Sequence, residues 1–411
     1  MNTPRVRTLV LATSVACLAS AAGVSPVHAY DLNSTARVTA SGSYETNPNL
    51  VQSNQRHLFE KRLAPGWSGV LDGETYGLAA DFGTSFVRTS DETISPDSLR
   101  YDTSLAGNLD FERARTSGGF DYSRRAFNNT EFNDNELTTD ETDASVSNAV
   151  TVDDASLATR FEYDATELLQ VFVDNNYRLV SFTGGNSTSF TSNTVTLGSR
   201  YEMSDYLSIS PEFEYRIFEP DDSDSQNTYE ARLRGNYQAS DVTQYNVAIG
   251  MIRTKQETNV SLDATYIQQL DDVLLQVTAS RSLSPSDDGE LRDSKRLSAQ
   301  VSKPLSDVTT IGADAQFRLN DEVEARRGGF NLTHELSDAL VVGFNLNVIE
   351  TIPDNGSSTM QYRADPFLNW LVHENVNARV SYRELWQETG SSGSVNTRRI
   401  SLAVTYTHPF Y

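Results

Sequence analysis

The chain has 411 residues, with 33 Lys and Arg against 56 Asp and Glu, for a formal net charge of −23. Such acidity argues against nucleic acid as a partner and against docking on an anionic membrane face through a basic patch. Cys17 is the one cysteine, so stability must come from a large hydrogen-bonded sheet or core and not from disulfides.

At the N-terminus, Arg5 and Arg7 precede an apolar stretch over 9–24, followed by Val27-His28-Ala29. This is the three-part layout of a secretory signal peptide. Cleavage is expected after Ala29, with Ala22 as the alternative point, leaving 30–411 as the mature chain. Lipid attachment at Cys17 would want a large aliphatic residue where Ser14 stands. Removing 1–29 takes away Arg5 and Arg7 and no acid, so the mature chain is two charges more negative. Only residues 30–34 then precede the first strand, which leaves no room for an N-terminal plug or a periplasmic helical-repeat domain.

Beyond residue 29 no apolar run reaches the ~20 residues of a transmembrane helix. The mean hydropathy of −0.45 would suit a soluble protein. Strands that alternate lipid-facing and lumen-facing residues give the same average. Such alternation begins at Ala36/Val38/Ala40/Gly42/Tyr44 and continues in Tyr76/Leu78/Ala80/Phe82 and Tyr101/Thr103/Leu105/Gly107/Leu109/Phe111. It is clearest where Leu207, Ile209, Pro211, Phe213, Tyr215 and Ile217 alternate with Ser208, Ser210, Glu212, Glu214 and Arg216. Later examples start at Tyr229, Tyr245, Leu340 and Ile400. A period of two over such a length fits a tilted strand crossing a bilayer. A soluble β-sandwich also alternates, but its strands usually have about 5–6 residues.

Aromatic residues stand at both ends of the apolar faces. Tyr44, Tyr76, Tyr101, Phe111, Tyr163, Tyr201, Tyr215, Tyr229, Tyr237 and Tyr406 are the expected lipid-facing double girdle. Short links at Ser204-Asp205-Tyr206, Ser240-Asp241, Asp271-Asp272, Ser306-Asp307 and Ser337-Asp338 sit between alternating strands. Their aspartates are spaced by 36, 31, 35 and 31 residues, one hairpin plus its outer loop per repeat. Ser and Asp suit tight turns because their side chains bond the local backbone. Between them lie longer acidic loops such as 220–226 and 284–290.

The longest loop is expected over 128–154, with Glu131, Asp134, Glu136, Asp140, Glu141, Asp143, Asp153 and Asp154 and no base. It reads as a solvated surface loop; a gate or a divalent-cation site is the sharper alternative, without calcium-loop spacing to support it.

Counting spans from 35–44 and 58–71, through 206–218 and 227–238, to 397–410 gives about twenty. An even number puts both termini on the periplasmic side. Eighteen is the alternative, since Pro65 and Trp67 interrupt the second span. The fold class is therefore an all-β, antiparallel up-and-down transmembrane barrel.

One hairpin permits a register. If paired positions sum to 446, Phe213 faces Leu233 and Ile217 faces Tyr229 outside. Inside, Glu212 then faces Arg234, Glu214 faces Arg232 and Arg216 faces Glu230. Other lumen-facing candidates are Asp81, Asp110, Asp121, Arg125, Arg160, Glu162, Arg178, Arg200 and Glu202. Towards the C-terminus they are Arg363, Asp365, Arg379, Arg383 and Arg399. Mixed sign suggests either a transverse field across a water-filled pore or a self-neutralising interior network.

The alternation Ile400/Leu402/Val404/Tyr406 runs in phase to Phe410 and not to the terminal Tyr411, with Pro409 between them. The barrel-assembly machinery is still an expected partner, with its last-residue contact one position out of phase.

The segment Gly42-Ser43-Tyr44-Glu45-Thr46-Asn47-Pro48-Asn49-Leu50, with Leu63-Ala64-Pro65-Gly66 and the Ser-Asp turns, resembles the β-barrel porin 2 family. The resemblance would span the mature chain. It implies a channel in exopolysaccharide or capsule export, with periplasmic export proteins as partners.

Enzyme chemistry lacks a constellation. The mature chain has His57, His334, His373 and His408, and His334 sits at an apolar-facing position that suits an interfacial residue better than a general base. No metal-ligand spacing, phosphate loop or nucleophile elbow occurs, so neither metal nor cofactor is expected. Two readings survive: a porin-like outer-membrane channel, or a structural barrel whose acidic loops meet lipopolysaccharide through divalent cations.

Overall fold

The computed structural model describes residues 31–48, 50, 51, 53, 55–92, 94, 95, 98–127, 150–184, 188–255, 257–285, 291–320, 323–354, 356–390 and 393–410. The expected signal peptide, the acids from Glu131 to Asp143 and the terminal Tyr411 lie outside these residues.

Twenty strands form one sheet. They are β1 Asp31–Thr46, β2 His57–Asp72, β3 Tyr76–Thr89, β4 Ser98–Asp110, β5 Ala114–Phe127, β6 Val150–Asp164 and β7 Leu169–Thr183. Next come β8 Phe190–Ser204, β9 Leu207–Pro220, β10 Gln226–Ser240, β11 Thr243–Arg253, β12 Thr258–Leu270, β13 Val273–Pro285 and β14 Leu291–Ser306. The last are β15 Thr309–Asn320, β16 Val323–Ser337, β17 Leu340–Pro353, β18 Thr359–His373, β19 Val376–Thr389 and β20 Gly393–Phe410. Each pairs antiparallel with the next, and β20 returns to β1 from Ser34↔Phe410 to Thr46↔Arg398. Closure leaves no edge strand, the condition for a sheet to stand in lipid.

The exterior is apolar and accessible. Phe213, Leu233, Ile249 and Leu402 are each about half exposed, whereas Ser208, Ser210 and Glu212 on the alternate face are buried. In a soluble protein this would be inside out; in a bilayer it is the stable arrangement.

The turns show how the sequence builds one end. Ser204, Ser240, Ser306 and Ser337 each accept, on the side-chain hydroxyl, the backbone N–H two residues on, at 3.3–3.4 Å. A register shift precedes each serine, at 202/204, 238/240, 304/306 and 335/337. The hydroxyl thus satisfies a donor the tight turn would orphan, and the bulge lets two residues span the strands. Asp271, with φ 47°, supplies the left-handed residue where the turn has no serine. The opposite end carries longer connections such as 47–56, 90–97 and 184–189.

Prolines inside strands sit where the ladder lapses. Pro65 falls between Leu63↔Phe86 and Gly66↔Gly83, and Pro211 faces the break between Gly198↔Glu212 and Tyr201↔Ile209. Pro366 occupies a similar gap on β18. A missing N–H costs nothing where no bond is asked for. Pro65 and Trp67 therefore do not interrupt β2, which pairs with β1 along its whole length, and the eighteen-strand alternative falls. Asp153 and Asp154 are also not loop residues: both lie in β6.

Candidate pore lumen

The β9–β10 hairpin shows how the interior is built. Its register sums to 444, so the expected 446 is wrong by two positions. Tyr215, not Ile217, faces Tyr229, with rings 5.0 Å apart, and Phe213 faces Ala231 instead of Leu233. Glu212 faces Arg232, Glu214 faces Glu230, Arg216 faces Thr228 and Arg234 faces Ser210. Direct opposites alone do not set the charge pairing, because long guanidinium arms reach diagonally. Glu212 accepts a close hydrogen bond from Arg232 and another from Arg234 at 3.0 Å. Arg232 also lies 3.8 Å from both Glu214 and Glu230, and Arg216 lies 3.7 Å from Glu214. One arginine thus separates three carboxylates.

Similar nodes recur around the wall. Arg160 binds Glu162 at 2.6 Å and Asp174 at 3.0 Å, with its guanidinium 4.5 Å from the Phe172 ring centre. Arg178 grips Asp154 through two bonds of 2.8 and 3.1 Å. Arg37 donates to Asp81 at 2.9 Å. Asp365 is shared by Arg363 and, at 2.8 Å, Arg383. Arg399 reaches Glu45 at 3.9 Å and Glu60 at 3.7 Å. Arg379 covers the Phe367 ring at 4.3 Å. Arg200 and Glu202, 3.7 Å apart, have half-exposed side chains. These groups share the inward face through the cross-strand register, and they pair locally instead of forming one basic and one acidic wall.

The ten aromatic candidates divide between two levels. Tyr44, Tyr101 and Tyr229 lie exposed towards the long loops; Tyr163, Tyr201, Tyr237 and Tyr406 lie exposed towards the short turns. Tyr215 and Tyr76 are half-buried, and Phe111 stands just past the end of β4. Tyr237, Tyr245 and Tyr266 form a run of neighbouring rings at 6.3 and 5.1 Å. Tyr229 and Tyr237 are eight residues apart on β10, or roughly 26 Å along the strand and about 20 Å along the axis of a barrel with the usual strand tilt, the scale of an apolar band about 25 Å tall.

Near the long loops, Val152, Val180, Phe190 and Phe218 face inward and form a buried apolar cluster, joined by Phe182 and Leu291. Phe218 is 1% exposed, on an inward face of β9 whose preceding members are Ser208, Ser210, Glu212, Glu214 and Arg216. The cover comes from β13–β14. These strands pair with each other out to Pro285↔Leu291, but β12 leaves them at Leu262↔Arg281 and β15 at Ser294↔Asn320. The free arm folds inward to β9 and β10. Arg216 Nη1 donates to Leu283 O at 3.4 Å, and Leu291 N donates to Gln226 Oε1 at 3.1 Å. The signal lay in the sequence, as apolar residues at 152, 180, 190 and 218 on otherwise polar faces.

A recess of about 580 Å³ opens on the wall of β2–β8. Ala79, Ala106, Gly119 and Ala158 occupy successive cross-strand positions and leave the space. Asn108, Ser117, Asn176 and Thr194 line it with Arg160 and Asp174.

Solved structures share this architecture. A point mutant of the ferric enterobactin receptor PfeA from Pseudomonas aeruginosa, in complex with enterobactin, covers 91% of this chain and 81% of its own, at 8% identity and TM-score 0.52. The siderophore receptor PirA from the same organism covers 94% and 81%, at 10% identity and TM-score 0.50. Pseudomonas aeruginosa OpdQ covers 93% and 100%, at 11% identity and TM-score 0.45. The likeness is one of fold. No protein-family model and no curated protein matches the chain.

Proposed function

We propose that the barrel is a channel of a Gram-negative outer membrane, with the long loops outward and the short turns and both termini in the periplasm. The observation that carries this reading is a charged inward face that water reaches, seen in Arg37 and Asp81, whose side chains stay 43% and 36% exposed in the middle of β1 and β3. Strand number agrees, because barrels of 16–18 strands already enclose an aqueous channel and this one has twenty. The arm of β13–β14 narrows the mouth on the β6–β10 side. Export through a signal peptide ending at Ala29 and insertion by the barrel-assembly machinery belong to the same reading.

A polysaccharide conduit working with periplasmic export proteins is the narrower form suggested by the Gly42–Leu50 segment and its porin 2 resemblance. Planar-bilayer recording of the refolded mature barrel tests the channel. Stepwise conductance supports it, and blockade by added acidic or neutral polysaccharide supports the narrower form. A correctly folded barrel that inserts and never conducts overturns both and leaves a structural, lipopolysaccharide-contacting barrel.

A further inference from the structure

One construction occurs twice on the inward face. On β7–β8, Phe172 lies across Gly198, its direct opposite, where a Cβ would collide with the ring. On β17–β18, Phe367 lies across Gly343 in the same way. Each ring is covered by one guanidinium from the strand on its other side. Arg160 of β6 has its guanidinium 4.5 Å from the Phe172 ring centre, and Arg379 of β19 lies 4.3 Å from that of Phe367. The registers coincide. Each arginine stands opposite the residue two positions after its phenylalanine, and the residue two positions after each arginine stands opposite the phenylalanine.

The two copies differ in their acids. At the first, those two positions are Asp174 and Glu162, and Arg160 binds both, at 3.0 and 2.6 Å. At the second they are Asn369 and Ser381. Ser381 shares a hydrogen bond of 2.6 Å with Ser401. Arg379 is exposed and, among the described residues, has the ring as its one side-chain partner. The flanking inward positions on β17 and β20 are Val341, Asn345, Ser401, Ala403 and Thr405, all uncharged. The nearest inward carboxylate on β18, Asp365, is held by Arg363 and Arg383. A cation–π contact takes none of the N–H donors of a guanidinium, which remain for a planar acceptor with two oxygens. The first copy shows which acceptor this geometry takes: a carboxylate.

We propose that Arg379, with Asn369 beside it, is a lumenal binding site for the carboxylate of a small organic acid, which takes the place that Asp174 and Glu162 fill at Arg160. The inference rests on the lumen being open to solutes, as the channel reading requires, and not on their passage through it.

Isothermal titration of the refolded mature barrel with succinate tests it, and bilayer recording of the same preparation tests the channel separately. Succinate should bind the unaltered barrel with an affinity that falls as salt is added. Succinamide, the uncharged diamide, should not bind. R379Q should weaken succinate about tenfold, the effect expected for losing a hydrogen bond to a charged group. N369D/S381E installs the two acids of the first copy and should weaken it to a similar degree, because the arginine is then occupied from within. K303Q, an outward lysine near the short turns, should change nothing. Heat-modifiable gel mobility reports whether each variant is folded. Should R379Q fail to fold, N369D/S381E and the comparison with succinamide still decide. No binding by the folded unaltered barrel, salt-independent binding, equal binding of succinamide, or folded variants that bind like the unaltered barrel would overturn the proposal. Succinate binding by a barrel that never conducts leaves the site standing and removes the channel; conductance without succinate binding does the reverse.

Discussion

Replacing Arg232 with methionine should destabilise the barrel more than any other single change in the β9–β10 ladder. Arg232 is the counter-charge for Glu212, Glu214 and Glu230, whose side chains are only 6%, 12% and 11% exposed. Without it, Glu230 faces Glu214 directly, with Arg216 still 3.7 Å from Glu214. Removing one partner of a fully buried pair costs about 3–5 kcal/mol. Arg234 still holds Glu212 at 3.0 Å, and lumen water screens the rest, so about 2 kcal/mol is expected here. Arg234→Met removes one bond to one carboxylate and should cost about 1 kcal/mol. Reversible urea unfolding of the barrel from vesicles, followed by tryptophan fluorescence, measures both. Adding Glu214→Gln to Arg232→Met should restore part of the loss. Equal effects of the two arginine changes, or no rescue by Glu214→Gln, would refute the three-carboxylate account.

Phe218→Ala should cost about 3 kcal/mol, in the range for emptying an aromatic core site, and should loosen the β13–β14 arm, seen as noisier and larger bilayer conductance. Gly198→Ala should destabilise by about 1–3 kcal/mol through overpacking, because a Cβ there would meet Phe172 Cζ at 2.3 Å; urea unfolding measures it. Ser240→Ala removes the hydroxyl that accepts Val242 N–H at 3.3 Å and should cost about 0.5–1 kcal/mol, read in the same unfolding assay.

Much of the fold is visible in the residue pattern because lipid and water impose opposite demands on neighbouring residues. Leu207 to Ile217 alternate without exception, and the structure forms β9 there. The Ser-Asp turns mark one end because a two-residue link needs a side-chain acceptor, and Ser204, Ser240, Ser306 and Ser337 each provide it. Prolines are harder to read. Pro65 looks like a breaker when only its own strand is considered; its tolerance depends on a ladder gap shared with β3, which one strand's sequence does not display. The β9–β10 register failed for a related reason. Two registers differing by two residues keep every side chain on the same face, so alternation cannot choose between them. Charge pairing of direct opposites favours one, whereas the structure adopts the other, with Tyr215 stacked on Tyr229.

The arm shows what an alternation rule is blind to. A strand is legible while its inward face meets water, and β13 and β14 obey the rule as far as Arg281 and Ser294. Past those residues the strands have no flanking wall, so the words inside and outside lose their meaning for them. Leu283 is only 7% exposed, although its parity places it on the lipid side. The compensating irregularity lies elsewhere in the chain, where Val152, Val180, Phe190 and Phe218 break the polar face of four strands at one level. Neither irregularity has a physical reason alone: the arm would expose Leu283 and Leu291, and the wall would expose Phe218 to lumen water. Together each removes the other's cost, so the mouth is narrowed by the same burial that stabilises it. It follows that loosening the contact should change conductance and stability in step, which separates a docked arm from a loop that merely overhangs the pore.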